Sequence, residues 1–401
     1  MKGRPLFSFA AVLVVCSGIL ELGAYLALRY VLKQPTPVLS GEALEGTVHI
    51  FDRSSSILPC GVKQHYKQVF RTNEFYTTVK TNNVGFREEK DYAGEAIDIG
   101  FVGDSFTFGH GVEFGERYSD LLRGYFPGKS IFSYSYANGS APPHYYLFLR
   151  RNPQYVSKVV VMGLYLGNDL TDDMEDMEFH LDANGEVSAI GSRSTEISEE
   201  GAEVTRFYAK HRRFFNLLDR FHFGRLSLLA IERLTGKYRR LRDAGSPRAL
   251  SPFHRGQLDR NNLLGLGYVR KLSRYVESKG SRLVVFMIPE AFCIGDYRGC
   301  VQWQPYTPDL CRELREKRYL QTALGNWFRE NEVEYMDPTD RFQTLEGRGT
   351  RLYFESDPHW TREGHRAAAE LLHEYLLGAS GGQRTRFTSA SFGPEFKSGR
   401  K

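Results

Sequence analysis

Two hydrophobic rhythms alternate along this chain. Short, nearly unbroken apolar runs recur at residues 96–102, 129–137, 158–165, 282–289 and 332–336. Runs of that length bounded by turn residues predict buried strands. Between them the apolar positions recur every three or four residues. Such stretches begin after Gly115 (Glu116, Tyr118, Leu121, Leu122, Tyr125), after Pro142 and Pro143, at 263–278, at 310–330, and after His359. That spacing predicts amphipathic helices. Strands alternating with helices imply an α/β protein with a parallel sheet covered on both faces, a three-layer α/β/α sandwich.

The pattern also divides the chain. Residues 6–32 are mostly apolar, follow Lys2 and Arg4, and are interrupted by Glu21 and Arg29. They are long enough for a transmembrane helix, and the basic start predicts a cytoplasmic tip with the body outside. A cleaved signal peptide competes with this reading, although Leu22-Gly23-Ala24 is a poor cleavage site. The divisions expected are a tip and anchor at 1–33, a linker and approach segment at 34–95, a main domain at 96–378, and a disordered Gly/Ser/Arg-rich tail at 379–401.

The main domain is interrupted at 170–261. This insertion opens acidic (Asp172, Asp173, Glu175, Asp176, Glu178), and Asp182-Ala183-Asn184-Gly185 signals a hairpin. A basic, aromatic stretch at 211–234 follows with helical spacing. It reads as a cap whose apolar face packs on the core. A membrane-surface helix and a substrate-gripping lid are the alternatives.

Composition narrows the class. The 401 residues are 25% charged and 41% hydrophobic, which is globular rather than disordered. A net charge of +5 is mild, and no interleaved basic and aromatic motif points to nucleic acid. Of the five cysteines, Cys16 lies in the apolar segment; Cys60, Cys293, Cys300 and Cys311 suit two disulfides in an exported body, with three pairings open. Cys293 and Cys300 flank a turn-rich loop that suits a local bridge, and free buried thiols are the alternative. No Cys/His spacing suggests zinc, and no cofactor is called for.

The chemistry collects at three places. Gly103-Asp104-Ser105 follows the first strand run, so Ser105 stands where open α/β sheets bind ligands. Gly167-Asn168-Asp169 follows the third. Asp357-Pro358-His359-Trp360 precedes the last helix. Ser105 is the candidate nucleophile and His359 the base, with Asp357 to orient the imidazole. The Ser105 N–H, the Gly139 N–H and the Asn168 side-chain amide are candidate donors to an oxyanion. Each has a plainer alternative: an N-cap at Ser105, a turn residue at Asn168, a helix N-terminal acid at Asp357 with His359 in the first turn. Asp169 reads as structural and His110 as a neighbour of the turn. His144 reads as a loop residue and His365 as a helix-face residue.

Gly-Asp-Ser, Gly-Asn-Asp and Asp-x-His, in that order, resemble the SGNH (GDSL) hydrolase family. Asn82-Asn83-Val84-Gly85-Phe86-Arg87 resembles the lead-in of its membrane-anchored bacterial members. The resemblance implies an SGNH/flavodoxin-like fold and an esterase that removes an acyl group, often acetyl, from a sugar or lipid through an acyl-serine. O-acetyl transfer to a polysaccharide is one alternative, and a non-catalytic carbohydrate-binding domain is another. It further implies an acylated carbohydrate or lipid substrate and an inner-membrane, single-pass protein with a periplasmic or extracellular body. Thr107 stands where the Gly-x-Ser-x-Gly elbow of α/β-hydrolases needs glycine. The second block, Ala137-Asn138-Gly139-Ser140, is poorer in glycine than the family pattern, so Gly139 and Ser140 compete for the donor position.

Overall fold

The computed structural model describes residues 17–23, 51–52, 61–62, 64–71, 74–135, 140–171, 174, 177–183, 187–192, 251–297, 308–355 and 357–380. Its centre is a five-stranded sheet of β1 (Ile99–Val102), β2 (Ile131–Ser133), β3 (Val159–Tyr165), β4 (Arg282–Ile288) and β5 (Tyr335–Met336). The spatial order is β2-β1-β3-β4-β5, and every neighbouring pair is parallel. This is the flavodoxin-like order, and its direction of winding reverses between β1 and β3. The five apolar runs therefore give five strands, in sequence order.

Both faces of the sheet are covered, which is why the strands read as runs rather than alternations. Val160, Met162 and Leu164 of β3, with Leu283, Val285 and Met287 of β4, point to one core. There they meet α2 (Pro142–Arg151), α3 (Arg260–Ser278) and α4 (Tyr319–Glu330). Val161, Val284, Phe286 and Ile288 point to the other, against α1 (Tyr118–Tyr125) and α5 (Arg362–Ser380). The period of two along each strand thus feeds two helical layers.

The stretch expected to be one helix over 310–330 is two. Pro308–Lys317 and α4 are separated by Arg318, whose φ of 50° breaks the right-handed path. The sequence before residue 96 packs into the first core through Phe75, Val79 and Phe86; Val79 lies on the strand Tyr76–Lys80, which pairs antiparallel with Lys67–Arg71. The hairpin signalled at Asp182 is present as Met177–Leu181 paired antiparallel with Val187–Ser192. The amphipathic stretch at 211–234 and the tail lie outside the described residues, as does most of the apolar N-terminal segment. Among the described residues no helix is long and apolar enough to cross a membrane.

The cysteine expectation needs correction. Cys293 is free, buried among Phe292, Cys311 and Leu314, and burial pushes its thiol well above the usual range. Cys311 is disulfide-bonded. With Cys293 held inside an apolar cluster, neither the Cys293–Cys300 bridge nor a second disulfide among these four residues forms.

Candidate active site

β1 runs into Gly103, Asp104 and a single helical turn, Ser105–Phe108. Asp104 caps this turn: its Oδ1 accepts the Phe106 N–H at 3.0 Å. Gly109 ends it with a φ of 82°, a left-handed conformation that glycine adopts without strain, and its N–H donates to the Ser105 carbonyl at 3.0 Å. The turn lies flush on β3. A methyl group at Gly103 or Gly163 would land on the Thr107 hydroxyl, which instead bonds the Tyr118 hydroxyl at 2.8 Å. Thr107 thus fills the space that glycine leaves elsewhere in the turn.

Arg87 clamps the turn from the other side. Its buried guanidinium donates to the carbonyls of Phe108 (3.0 Å), Gly109 (2.7 Å) and Val112 (2.7 Å), and lies over the Phe108 ring. The lead-in motif delivers it. Asn82 Oδ1 accepts the N–H groups of Val84 and Phe86, so the chain turns tightly at Gly85 and aims Arg87 inward.

The second half of the site lies on the loop before α5. Tyr353 and Trp360 form an isolated antiparallel bridge, and the Phe354 N–H donates to the His359 carbonyl at 3.0 Å. Trp360 is fully buried against Phe106, Tyr118, Phe286 and Phe342, which pins the loop to the second core. Asp357 Oδ1 accepts the His359 N–H at 2.9 Å and lies 2.6 Å from His359 Nδ1. His359 Nε2 lies 2.7 Å from Ser105 Oγ. The chain of Ser105, His359 and Asp357 is continuous, and α5 begins only at Arg362, so Asp357 and His359 are loop residues rather than a helix start.

The carboxylates on the two sides have opposite character. Burial opposes ionisation of Asp357, but the His359 imidazole beside it outweighs that and lowers its pKa to about 2. Burial dominates at Asp104, offset only in part by His359, and raises its pKa to about 6. His110 is pushed down to about 3, first by burial and then by His359, so it stays neutral. Its ring centroid is 4.5 Å from that of His359, so it stands beside the base. Ligand atoms of His110, Asp357 and His359 lie within 4.8 Å of one another, a set able to hold a metal ion. Both His359 nitrogens, however, already face Ser105 and Asp357.

Asn168 sits past the end of β3, beside β1 at the winding reversal, on the same sheet edge as Ser105. Its Oδ1 is buried with no hydrogen-bond partner among the described residues. Gly139 lies outside the described residues. Its neighbour Ser140 is buried and its carbonyl accepts the Tyr145 hydroxyl at 2.7 Å. Asp169 is fully buried and accepts the Tyr165 N–H at 2.9 Å, a structural role. His365 is a buried helix residue whose Nδ1 accepts the Tyr118 N–H. His144 lies in the first turn of α2, not in a loop. Glu74 and Arg87 were not foreseen at the site. Arg87 had a signal in the lead-in motif, whereas an isolated glutamate at 74 offers none.

Fold and site define a class: a parallel-sheet α/β protein with a hydrogen-bonded serine, histidine and aspartate at the winding reversal. Residues 259–400 match the family described as SGNH hydrolase-like domain, acetyltransferase AlgX. The matched residues include Asp357 and His359 but not Ser105, Gly139 or Asn168. No curated protein matches the chain. A member of the lipolytic protein G-D-S-L family from Veillonella parvula DSM 2008 is similar in structure, at 10% identity and a TM-score of 0.35, over 70% of this chain and 99% of that one. A GDSL-like lipase from Bacteroides thetaiotaomicron VPI-5482 aligns at 9% identity and 0.34, over 70% and 88%. A carbohydrate acetylesterase family member from Sinorhizobium meliloti aligns at 11% identity and 0.31, over 70% and 97%.

Proposed function

We propose that this chain is a serine acyl-esterase that removes an acyl group, acetyl being the one the SGNH resemblance favours, from an envelope or extracellular saccharide or lipid. The observation that carries the reading is the chain from Ser105 Oγ to His359 Nε2 and from His359 Nδ1 to Asp357. In this mechanism His359 takes the Ser105 proton as Oγ attacks the ester carbonyl, and Asp357 stabilises the resulting imidazolium. The Ser105 N–H and the Asn168 amide, with Gly139 as the third donor, receive the oxyanion. His359 then returns the proton to the leaving alcohol. Water attacks the acyl-serine by the same route and frees the acid.

A second reading is favoured by the description of the matching family, an acetyltransferase. There a sugar hydroxyl replaces water in the second half and takes up the acyl group. Both readings share the first half and predict the same variant. Ser105→Ala should abolish p-nitrophenyl acetate turnover, a loss of at least about 1,000-fold, with thermal unfolding nearly unchanged. Turnover close to the parent level would overturn both. Adding an oligosaccharide acceptor separates them: acetylated sugar appears only if transfer is the reaction.

The reading includes export on an N-terminal anchor, supported by the apolar stretch at 6–32 after Lys2 and Arg4. An alkaline phosphatase fused after Gln34 should be active; an inactive fusion beside an active cytoplasmic reporter would reverse it.

A further inference from the structure

The Asp357–His359 loop is not held by its local bonds alone. Two of its amides, those of Glu355 and Asp357, point away from the base, and each meets one oxygen of the same carboxylate. The Glu355 N–H donates to Glu74 Oε1 at 2.7 Å and the Asp357 N–H to Glu74 Oε2 at 2.9 Å. Glu74 lies 283 residues earlier in the chain, just before the strand Tyr76–Lys80. A carboxylate accepting from two amides two residues apart fixes both the position and the tilt of the loop, and bonds to an ionised acceptor are the stronger kind.

The same short segment is tied to the nucleophile's side. The Thr78 N–H donates to Glu113 Oε1 at 2.9 Å, and Arg87, which clamps the Ser105 turn, reaches the Thr78 carbonyl at 3.4 Å. Between these ends Phe75 packs edge-on against His110 at 5.1 Å and at a tilt against Phe354 at 5.0 Å. Residues 74–78 therefore touch both halves of the site and span them as a strut.

We propose that Glu74 is a positioning residue that sets the Asp357–His359 pair against Ser105 through the amides of Glu355 and Asp357. Its consequence for turnover rests on the hydrolase reading; its consequence for the geometry of the pair does not. Glu74→Gln keeps the size of the side chain but replaces one acceptor with a donor, which faces an amide N–H. The loop then shifts, and Asp357 no longer meets Nδ1 squarely.

The experiment has two arms on the full chain. The first follows the His359 Nδ1–H proton by NMR. In the parent it should resonate far downfield, as expected for a short bond to a carboxylate, and in Glu74→Gln it should move upfield or vanish by exchange. Glu74→Asp retains both acceptors and should fall between the two; if Glu74→Gln does not fold, this variant decides the arm. The second measures p-nitrophenyl acetate turnover. Glu74→Gln should lower kcat by roughly 100-fold, the scale of a misplaced catalytic group, with KM unchanged. In an Asp357→Ala background the same substitution should cost nothing further, because it acts through Asp357. An equal loss in both backgrounds, or a Nδ1–H resonance that neither variant moves, would overturn the proposal. If the parent turns over no acyl ester, the hydrolase reading fails and the resonance alone decides Glu74.

Discussion

The two halves of the site are built in different ways. The Ser105 turn is made by its own neighbourhood: strand β1 aims it, Asp104 caps it, Gly109 closes it, and Thr107 beds it on β3. The Asp357–His359 loop is held locally by the buried Trp360 and by the Phe354 bond to the His359 carbonyl, and it also reaches across the chain to Glu74. The nucleophile is thus a property of a short segment, while the base is a property of the assembled domain. The environments follow suit. Burial prevails at the Asp104 carboxyl, whereas at Asp357 burial is also strong but is outweighed by the adjacent imidazole.

The comparison can be broken most forcefully at Arg87. It clamps the turn from a distance, and Arg87→Met would strip the donor from three buried carbonyls. The expected cost is about 3 kcal/mol or more, read as a lowered urea midpoint at constant slope. An unchanged midpoint would mean that the turn needs no outside support.

A smaller effect sharpens the contrast between the two carboxylates. Asp104 holds its proton more tightly folded, near pH 6, than unfolded, near 3.8. The folded state should therefore lose about 3 kcal/mol as pH rises from about 4 to 6, and Asp104→Asn should remove that slope. Asp357 runs the other way, with its folded value near 2 and its unfolded value near 3.8. Its contribution, about 2 kcal/mol, is present above about pH 4 and is lost as pH falls towards 2; Asp357→Asn should flatten that limb. Denaturant midpoints across pH 2 to 7 measure both, and slopes of the same sign for the two aspartates would refute the contrast.

The same division explains what the sequence made legible. Parallel strands buried on both faces leave continuous apolar runs, so the five strands and their order along the chain could be read directly. Ser105 could be read because the residues that cap and close its turn, Asp104 and Gly109, lie within a few positions of it. His359 and Asp357 could be read only through the order of motifs, since nothing near them says which serine they face. Glu74 left no trace, because a lone acid beside an aromatic residue looks the same whether it caps a remote loop or faces water. The break at Arg318 was missed because apolar spacing on either side of it stays helical, and only the backbone angle departs. Cys293 misled because pairing arithmetic knows nothing of the apolar cluster that keeps its thiol free.

The separation of Ser105 from its base has a kinetic side. The contact between them closes a span of 254 residues, and the Glu74 bond closes one of 283. Contacts between such distant residues form late, because the entropy of closing the chain must be met before they return anything. Helix α5, which follows the base directly, packs on α1 near the start of the domain. The serine is therefore seated in its turn before it has a partner to take its proton. A chain still emerging from the ribosome carries a serine that is in place before His359 can reach it. The Ser105–His359 contact forms only once the loop before α5 is docked, so the site is joined late in the assembly of the domain.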